Sequence, residues 1–154
     1  MPVLADLLTR ELELVRAFIA SLTQEQEALK RGETDAVAAI ALKKNQLIEQ
    51  LNGVEKDRNT FLQQAGYPGD SNGMKSWLAA NGNDRTAAEG WAKLMDLAAQ
   101  ARRIHDLNGR LIAMRLQAAN QALGILTEQS QRSSLYGRDG FTTPRTGSRI
   151  IDAA

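Results

Sequence analysis

A long stretch without proline, from Thr86 to Gln131, constrains the fold of this chain more than any other feature. It opens with Thr86 and Glu89 at the spacing of a capping box, in which the two side chains satisfy each other's free backbone N–H groups at a helix start. The next proline is Pro144. At about 1.5 Å per residue, roughly 45 helical residues span about 70 Å, more than the diameter of a compact domain. We therefore predict one long helix over residues 86–131 and an elongated fold around it.

The composition favours helices over strands and excludes several classes of function. Aromatic residues make up 5% of the 154 residues and prolines number three, whereas good helix formers are abundant. The net charge of +1 gives no electrostatic argument for nucleic acid as a partner. The chain has no cysteine, which excludes disulfides, thiolate metal sites and cysteine nucleophiles.

The beginning of the chain lacks the features of a targeting segment. Asp6, Arg10 and Glu11 interrupt its leucines, so it does not contain the apolar core of a signal peptide. No apolar run approaches the length that spans a membrane. We expect a soluble cytoplasmic protein without an integral membrane segment.

An apolar stripe at helical spacing predicts a first helix over residues 3–31. Four residues recur every seven positions along it: Leu8, Val15, Leu22 and Leu29. Neighbouring positions widen the stripe: Leu4, Leu12, Phe18 and Ile19. Glu11 and Glu25 interrupt its second seam, which favours a bundle over a strict two-stranded coiled coil. We expect Gly32 to end the helix in a left-handed conformation.

A second stripe of similar length predicts a helix over residues 34–65, with Thr34 or Asp35 as its N-cap. Its heptad positions are Ile40, Leu47, Val54 and Phe61. Gly66 is expected to end it, and Pro68 strengthens the break. Because the turn after the first helix is short, the two helices should form an antiparallel hairpin.

A glycine-rich connector with a short helix over residues 74–80 is predicted between the second helix and the long one. Trp77 in this short helix allows two interpretations. It could cover the end of the bundle, or it could be a hot spot for a partner. We expect the first, because large aromatic residues in short connectors most often cover an open core.

These segments together predict an all-α protein: an elongated antiparallel bundle of three long helices, with the short helix in the connector between helices 2 and 3. The bundle domain covers residues 1–131, and residues 132–154 are expected to form a flexible C-terminal tail.

Two Asn-Gly pairs lie near the middle of the second helix and of the long one. A glycine there is less favourable than alanine by about 1 kcal/mol, so some packing advantage should offset it. We therefore expect a close crossing of these helices at Gly53 and Gly109, and the sequence leaves open a kink near Gly109. Asn108, an amide within an apolar seam, is expected to fix the helix register.

The residues that common enzyme chemistries need are missing. His105 is the only histidine, and no ligand partner shares its helical face, so we expect it to be a partly exposed polar residue. Nucleophilic triads and phosphate-binding loops likewise have no matching motif. Glu11 and Glu13 are interpreted as part of a solvated helix surface. We expect a non-enzyme with no metal, no cofactor and no small-molecule substrate.

The second half of the long helix differs from the first in its lack of charge. Between Arg115 and Glu128 no residue is charged, and most residues from Leu111 to Leu126 are apolar. At 100° per residue the polar positions form one narrow wedge: Gln117, Asn120, Gln121 and Gly124. The apolar arc is therefore wider than one seam requires. The first two helices, a second copy of the chain, or an amphipathic helix of another protein could cover it.

Short motifs that follow one another in a specific order carry a family resemblance. They are Leu7-Leu8-Thr9-Arg10-Glu11-Leu12, the segment from Glu25 to Glu33, the Lys-Lys-x-x-Leu-Ile-x-x-Leu pattern from Lys43 to Leu51, the segment from Leu107 to Ile112, and the segment from Leu135 to Gly140. Through these motifs the chain resembles, from about Leu4 to Gly140, the FlgN family of flagellar type III export chaperones.

The resemblance implies a cytoplasmic, non-enzymatic helical-bundle chaperone. Such a protein binds the C-terminal amphipathic helices of the hook-associated proteins of the hook-filament junction and delivers them to the flagellar export gate. The client-binding region of the family matches the end of the long helix, which gives these candidates: Leu111, Ile112, Met114, Leu116, Ala119, Leu123, Ile125 and Leu126. The tyrosine with which chaperones of this class dock on the gate corresponds to Tyr136.

Two other classes of protein remain as alternatives at this point. A self-associating structural or scaffolding bundle would use the same apolar arc to form a homodimer. A metal-dependent helical-bundle enzyme would need a ligand set that the sequence does not offer. The identity of the preferred junction protein is not encoded in any of these motifs.

Overall fold

The computed structural model describes residues 3–135, with side chains up to Arg132, and this part of the chain is helical without strands. Its four helices are α1 (Leu4–Arg31), α2 (Thr34–Gln64), α3 (Ser71–Ala80) and α4 (Arg85–Leu135). The predicted all-α class is confirmed, as is the order of three long helices with a short one between the second and the third. Helix α3 begins at Ser71 rather than near Met74, and α4 continues past Gln131 to Leu135, the last residue that the structure describes.

The chain divides into two compact units, Met1–Leu111 and Ile112–Ala154. The first contains α1, α2, α3 and the beginning of α4. The described part of the second is the C-terminal portion of α4.

The C-terminal ends of α1 and α2 are built in the same way, as their glycines predict. Gly32 has φ 72° and Gly66 has φ 87°, a left-handed conformation that glycine adopts at little steric cost. After α1 the Glu33 N–H donates to the Ala28 carbonyl at 2.9 Å, and after α2 the Tyr67 N–H donates to that of Leu62 at 2.8 Å. Each hydrogen bond closes a Schellman motif and satisfies a carbonyl that the helix leaves free.

The N-terminal caps differ from the predicted ones. The Ala87 N–H donates to Asp84 Oδ1 at 3.0 Å, so Asp84 caps α4 and the predicted capping box of Thr86 and Glu89 is wrong. The helix already begins at Arg85, which places Thr86 inside its first turn. Helix α2 begins at Thr34 without any side-chain cap, because the tight turn after Gly32 leads directly into it.

The core of the first unit joins all four helices. Its buried members are Leu4, Leu8, Val15, Leu62, Met74, Trp77, Ala87, Trp91, Leu94 and Leu97. Trp77 is 9% exposed, and its ring meets that of Phe61 edge to face at a centroid distance of 5.9 Å. The predicted packing role of Trp77 is therefore confirmed. Such an aromatic pair contributes about 0.5–1.5 kcal/mol beyond the area it buries.

The predicted close crossing at Gly53 and Gly109 is wrong. Apart from the backbone of its own helix, a Cβ atom at either glycine would have no atom within 4 Å. The close approach lies elsewhere, between α1 and α4, where a Cβ at Gly90 would stand 3.5 Å from Leu8 Cβ. Gly53 instead lines an open groove of about 540 Å³ between α1 and α2.

Glu11 is buried, contrary to the interpretation as a solvated residue. It is 7% exposed and accepts a hydrogen bond from Arg58 Nη1, while the Arg58 guanidinium lies 5.0 Å from the centre of the Trp91 ring. Burial raises the pKa of the Glu11 carboxyl, and Arg58 opposes that increase, while the nearby Glu55 adds to it. The heptad spacing places Glu11 on the packed face of α1, so it is buried although its side chain is polar.

A second polar cluster joins α1, α2 and α4 further along the first unit. Asn108 is 1% exposed, and its Nδ2 donates to the Leu22 carbonyl and to Glu25 Oε1, both at 2.9 Å. Lys44 of α2 donates to the same carboxylate, at 2.8 Å from Oε2. A shift of α4 by one residue would bury these groups without partners, which costs about 1–3 kcal/mol for each neutral group. Asn108 therefore ties α4 to a single register.

Candidate partner-binding surface

The C-terminal portion of α4, from Ile112 onwards, is helical for reasons of local sequence. Alanine, leucine and glutamine, which have high helix propensities, make up much of it, and no proline interrupts it before Pro144. The Thr127 hydroxyl donates to the Leu123 carbonyl at 2.8 Å, which satisfies this hydroxyl on the helix surface. Gly124 is tolerated as a single unfavourable position.

The large apolar side chains of this portion are exposed. The most exposed are Met114 at 65%, Leu126 at 62% and Leu116 at 61%, and the others are about half exposed: Ile112, Leu123 and Ile125. Ala119 is also exposed. Leu111, the remaining candidate, is half-buried and belongs to the first unit.

Helical periodicity sorts the exposed candidates into two faces. Spacings of four and three residues bring Ile112, Leu116, Ala119, Leu123 and Leu126 onto one face, here called the apolar stripe. Met114 and Ile125 lie on a different face, near Ala118 and Ala122. The predicted client-binding residues therefore lie on two faces of one helix. The apolar stripe is the longer of the two and carries more large side chains.

Burial distinguishes this portion from the beginning of α4. Trp91, Leu94, Leu97 and Ala101 are each less than 9% exposed, and Asn108 is the last buried residue among those that the structure describes in α4. From Ile112 onwards, the large apolar side chains recur at helical spacing but are exposed. A contiguous exposed apolar stripe of this kind marks an interaction surface.

The described residues 3–135 were also compared with the requirements of a metal site and of a membrane span. No three histidine or acidic side chains in that range lie close enough together to hold a metal ion. His105 is exposed, as predicted. None of the helices described there is both long and apolar enough to cross a membrane. Tyr136, the predicted gate-docking residue, lies outside the described residues.

Sequence reasoning missed the partners of the two buried glutamates. Arg58 and Lys44 were not singled out, although each faces a carboxylate on α1 in the structure. The available signal was the spacing of Glu11 and Glu25, which occupy the same seam as Leu4 and Phe18. A charge on a packed seam requires an opposite charge on the facing helix.

Comparison with known proteins gives one match. Residues 1–144 match the model of the FlgN protein family. Neither the curated proteins nor the solved structures contain a significant match.

Proposed function

The chain belongs to the FlgN family of flagellar export chaperones, and from that premise we propose that the apolar stripe binds the C-terminal amphipathic helices of hook-associated proteins in the cytoplasm. The chaperone keeps these segments from associating prematurely and delivers them to the flagellar type III export gate. The half-buried Leu111 lies at the edge of the stripe, and Met114 and Ile125, on the other face of the helix, are assigned secondary contacts.

The observation that carries this proposal is the exposure of the apolar stripe on a helix that carries no charge between Arg115 and Glu128. Leu116, Leu123 and Leu126 are each more than half exposed, and no charge lies between Arg115 and Glu128. An amphipathic client helix can cover the part of the stripe after Arg115 without desolvating an ion. Removing apolar surface from water lowers the free energy by about 25 cal/mol per Å². This gain offsets the entropy lost when a disordered client segment becomes helical.

Charge substitutions in the stripe test the proposal directly. Leu116→Glu and Leu123→Glu would each place a carboxylate in the apolar contact, where a hot-spot residue contributes about 2 kcal/mol or more. We expect each variant to weaken binding of a synthetic hook-associated C-terminal helix by roughly 30-fold or more. Isothermal titration calorimetry with the full chain measures this change.

Gln117→Glu is the matched control, since it adds the same charge at the neighbouring position on the polar wedge. It should bind the peptide like the wild type, and circular dichroism should give the same helicity for all three variants. Wild-type affinity in both stripe variants would show that the client binds elsewhere.

Export-gate docking is assigned to Tyr136. Because α4 continues to Leu135, the last residue that the structure describes, a chain that ends after Leu135 keeps all of the described helix and removes Tyr136 together with the residues after it. We expect this truncation to retain client binding and to weaken binding to the cytoplasmic domain of the export gate. Tyr136→Ala should weaken gate binding in the same way, and Tyr136→Phe should retain client binding. Surface plasmon resonance on the immobilised gate domain measures this, and undiminished affinity of the truncated chain would refute the docking role.

A further inference from the structure

We propose that Asn81 is a site of spontaneous deamidation, and that the aspartate or iso-aspartate formed there loosens the connector between α3 and α4. Glycine has no side chain to shield its backbone nitrogen, so an asparagine that precedes glycine deamidates readily. The chain contains four such pairs: Asn52-Gly53, Asn72-Gly73, Asn81-Gly82 and Asn108-Gly109. The dipeptide is the same in all four, and the structure distinguishes one of them.

The reaction needs an accessible glycine nitrogen and an asparagine side chain that can turn toward it. The glycine nitrogen attacks the asparagine Cγ, so that a new C–N bond forms and the bond from Cγ to Nδ2 breaks. The proton lost from the attacking nitrogen leaves with Nδ2 as ammonia. Water then opens the cyclic imide at either of its two carbonyls and gives aspartate or iso-aspartate. A backbone fixed in a helix, or a glycine N–H that donates a hydrogen bond, opposes the attack.

Three of the four pairs are held in helices. Gly53 lies within α2 and Gly109 within α4, where the helix fixes the backbone, and Asn108 is also buried. Gly73 is buried in the first turn of α3, and its N–H donates to Asp70 Oδ1 at 2.8 Å. Attack at these pairs therefore requires local unfolding of a helix.

The fourth pair, Asn81-Gly82, lies in the turn between α3 and α4, outside both helices. Gly82 is exposed, and within the described residues its N–H donates no hydrogen bond. The Asn81 side chain is restrained by one hydrogen bond, which its Nδ2 donates to the Trp77 carbonyl at 2.8 Å. Rotation of this side chain toward the Gly82 nitrogen breaks that bond without unfolding either helix.

Both products disturb the helix ends that meet in this turn. The carboxylate of the aspartate product cannot donate to the Trp77 carbonyl, and it lies at the C-terminal end of α3, where negative charge is unfavourable. The iso-aspartate product adds a methylene to the backbone of the turn, which the Asp84 N–H closes by donating to the Asn81 carbonyl at 3.0 Å. Because Asp84 also caps α4 and Trp77 belongs to the core, deamidation lowers the stability of the first unit.

Gly82→Ala is the matched control for this reaction. Apart from its two chain neighbours, a Cβ atom at Gly82 would meet no atom within 4 Å, and the φ angle there is not positive. Alanine therefore fits without strain, while its methyl group hinders attack by its nitrogen.

The full chain is incubated in mildly alkaline buffer, and peptide mapping by mass spectrometry with enzymatic labelling of iso-aspartate follows each pair. We expect Asn81 to react at least about ten-fold faster than Asn52, Asn72 or Asn108, because the others need local unfolding. In urea all four pairs should react at similar rates, and Gly82→Ala should slow the reaction at Asn81 in either condition. Reaction of Asn52 or Asn108 as fast as Asn81 in the folded chain would overturn the proposal.

Thermal unfolding followed by circular dichroism tests the effect on the connector. The incubated wild type, once modified at Asn81, should unfold at a temperature lower by about 2–8 °C than the fresh protein. Incubated Gly82→Ala should unfold at the same temperature as its own fresh sample. An unchanged unfolding temperature of the modified wild type would refute the loosening of the connector.

Discussion

Glu11 shows how a single carboxylate on a packed helix face affects stability. It is buried against Arg58, which in turn stacks on Trp91, and burial raises its pKa despite the attraction of the guanidinium. The folded protein therefore holds this proton more tightly than the unfolded chain does. Protonation of Glu11 stabilises the fold below its unfolded-state pKa, and this contribution is lost as the pH rises through the folded-state pKa.

Two substitutions at Glu11 should have opposite outcomes at neutral pH. Glu11→Gln keeps an oxygen for Arg58 without the charge, so its free energy of unfolding should equal or exceed that of the wild type. Glu11→Ala leaves Arg58 buried without an acceptor and should destabilise the protein by about 3–5 kcal/mol. Urea unfolding followed by circular dichroism measures both.

The pH dependence provides the control for Glu11. As the pH is lowered from neutral to mildly acidic, the wild type should gain stability relative to Glu11→Gln, which has no proton to bind at this position. If Glu11→Gln is several kcal/mol less stable than the wild type at neutral pH, the ion pair outweighs the burial and the stated direction is wrong.

At the level of helices, the sequence predicts the C-terminal caps of α1 and α2 better than the N-terminal caps of α2 and α4. Gly32 and Gly66 end α1 and α2 as expected, because a left-handed cap strongly selects glycine. N-caps are less specific, since aspartate, serine, threonine and asparagine are nearly equivalent there. Asp84 and Thr86 both fit the pattern, and the hydrogen bond to Ala87 shows that Asp84 is the cap.

Glycines inside helices give a second prediction at this level. Gly53→Ala should raise the free energy of unfolding by about 1 kcal/mol, since alanine has the better helix propensity and its Cβ would meet no atom within 4 Å. Gly73→Ala should lower it, because a Cβ there would stand 1.7 Å from the Pro68 carbonyl oxygen. Thermal unfolding of the two variants gives the comparison.

The same substitution thus has opposite signs at the two glycines, which controls for general effects of alanine. A destabilised Gly53→Ala variant would mean that a contact at α2 restricts this position after all. An unchanged Gly73→Ala variant would mean that the Pro68 turn moves at little cost.

For the molecule as a whole, apolar periodicity predicts the helices and much of the buried core, because packing repeats along each helix. The apolar stripe was also predictable, from the absence of charge after Arg115. The pairing of helices at a given glycine was not predictable, since Gly53 and Gly109 have the same local sequence signal as a glycine at a true crossing. The partners of Glu11 and Glu25 depend on the rotation of α2, which short-range patterns leave undetermined.

The continuity of α4 also has a consequence for the cooperativity of helix formation. The equilibrium constant for forming the first turn of a helix in water is lowered by a nucleation factor of about 10⁻³. Adding a residue to an existing helix is nearly neutral in free energy. The buried beginning of α4 provides this nucleus, so the exposed turns from Ile112 onwards are formed by propagation alone. Under the proposed function, a client helix would therefore encounter a preformed template, and that template would persist only while the core around Trp91 and Leu94 remains folded.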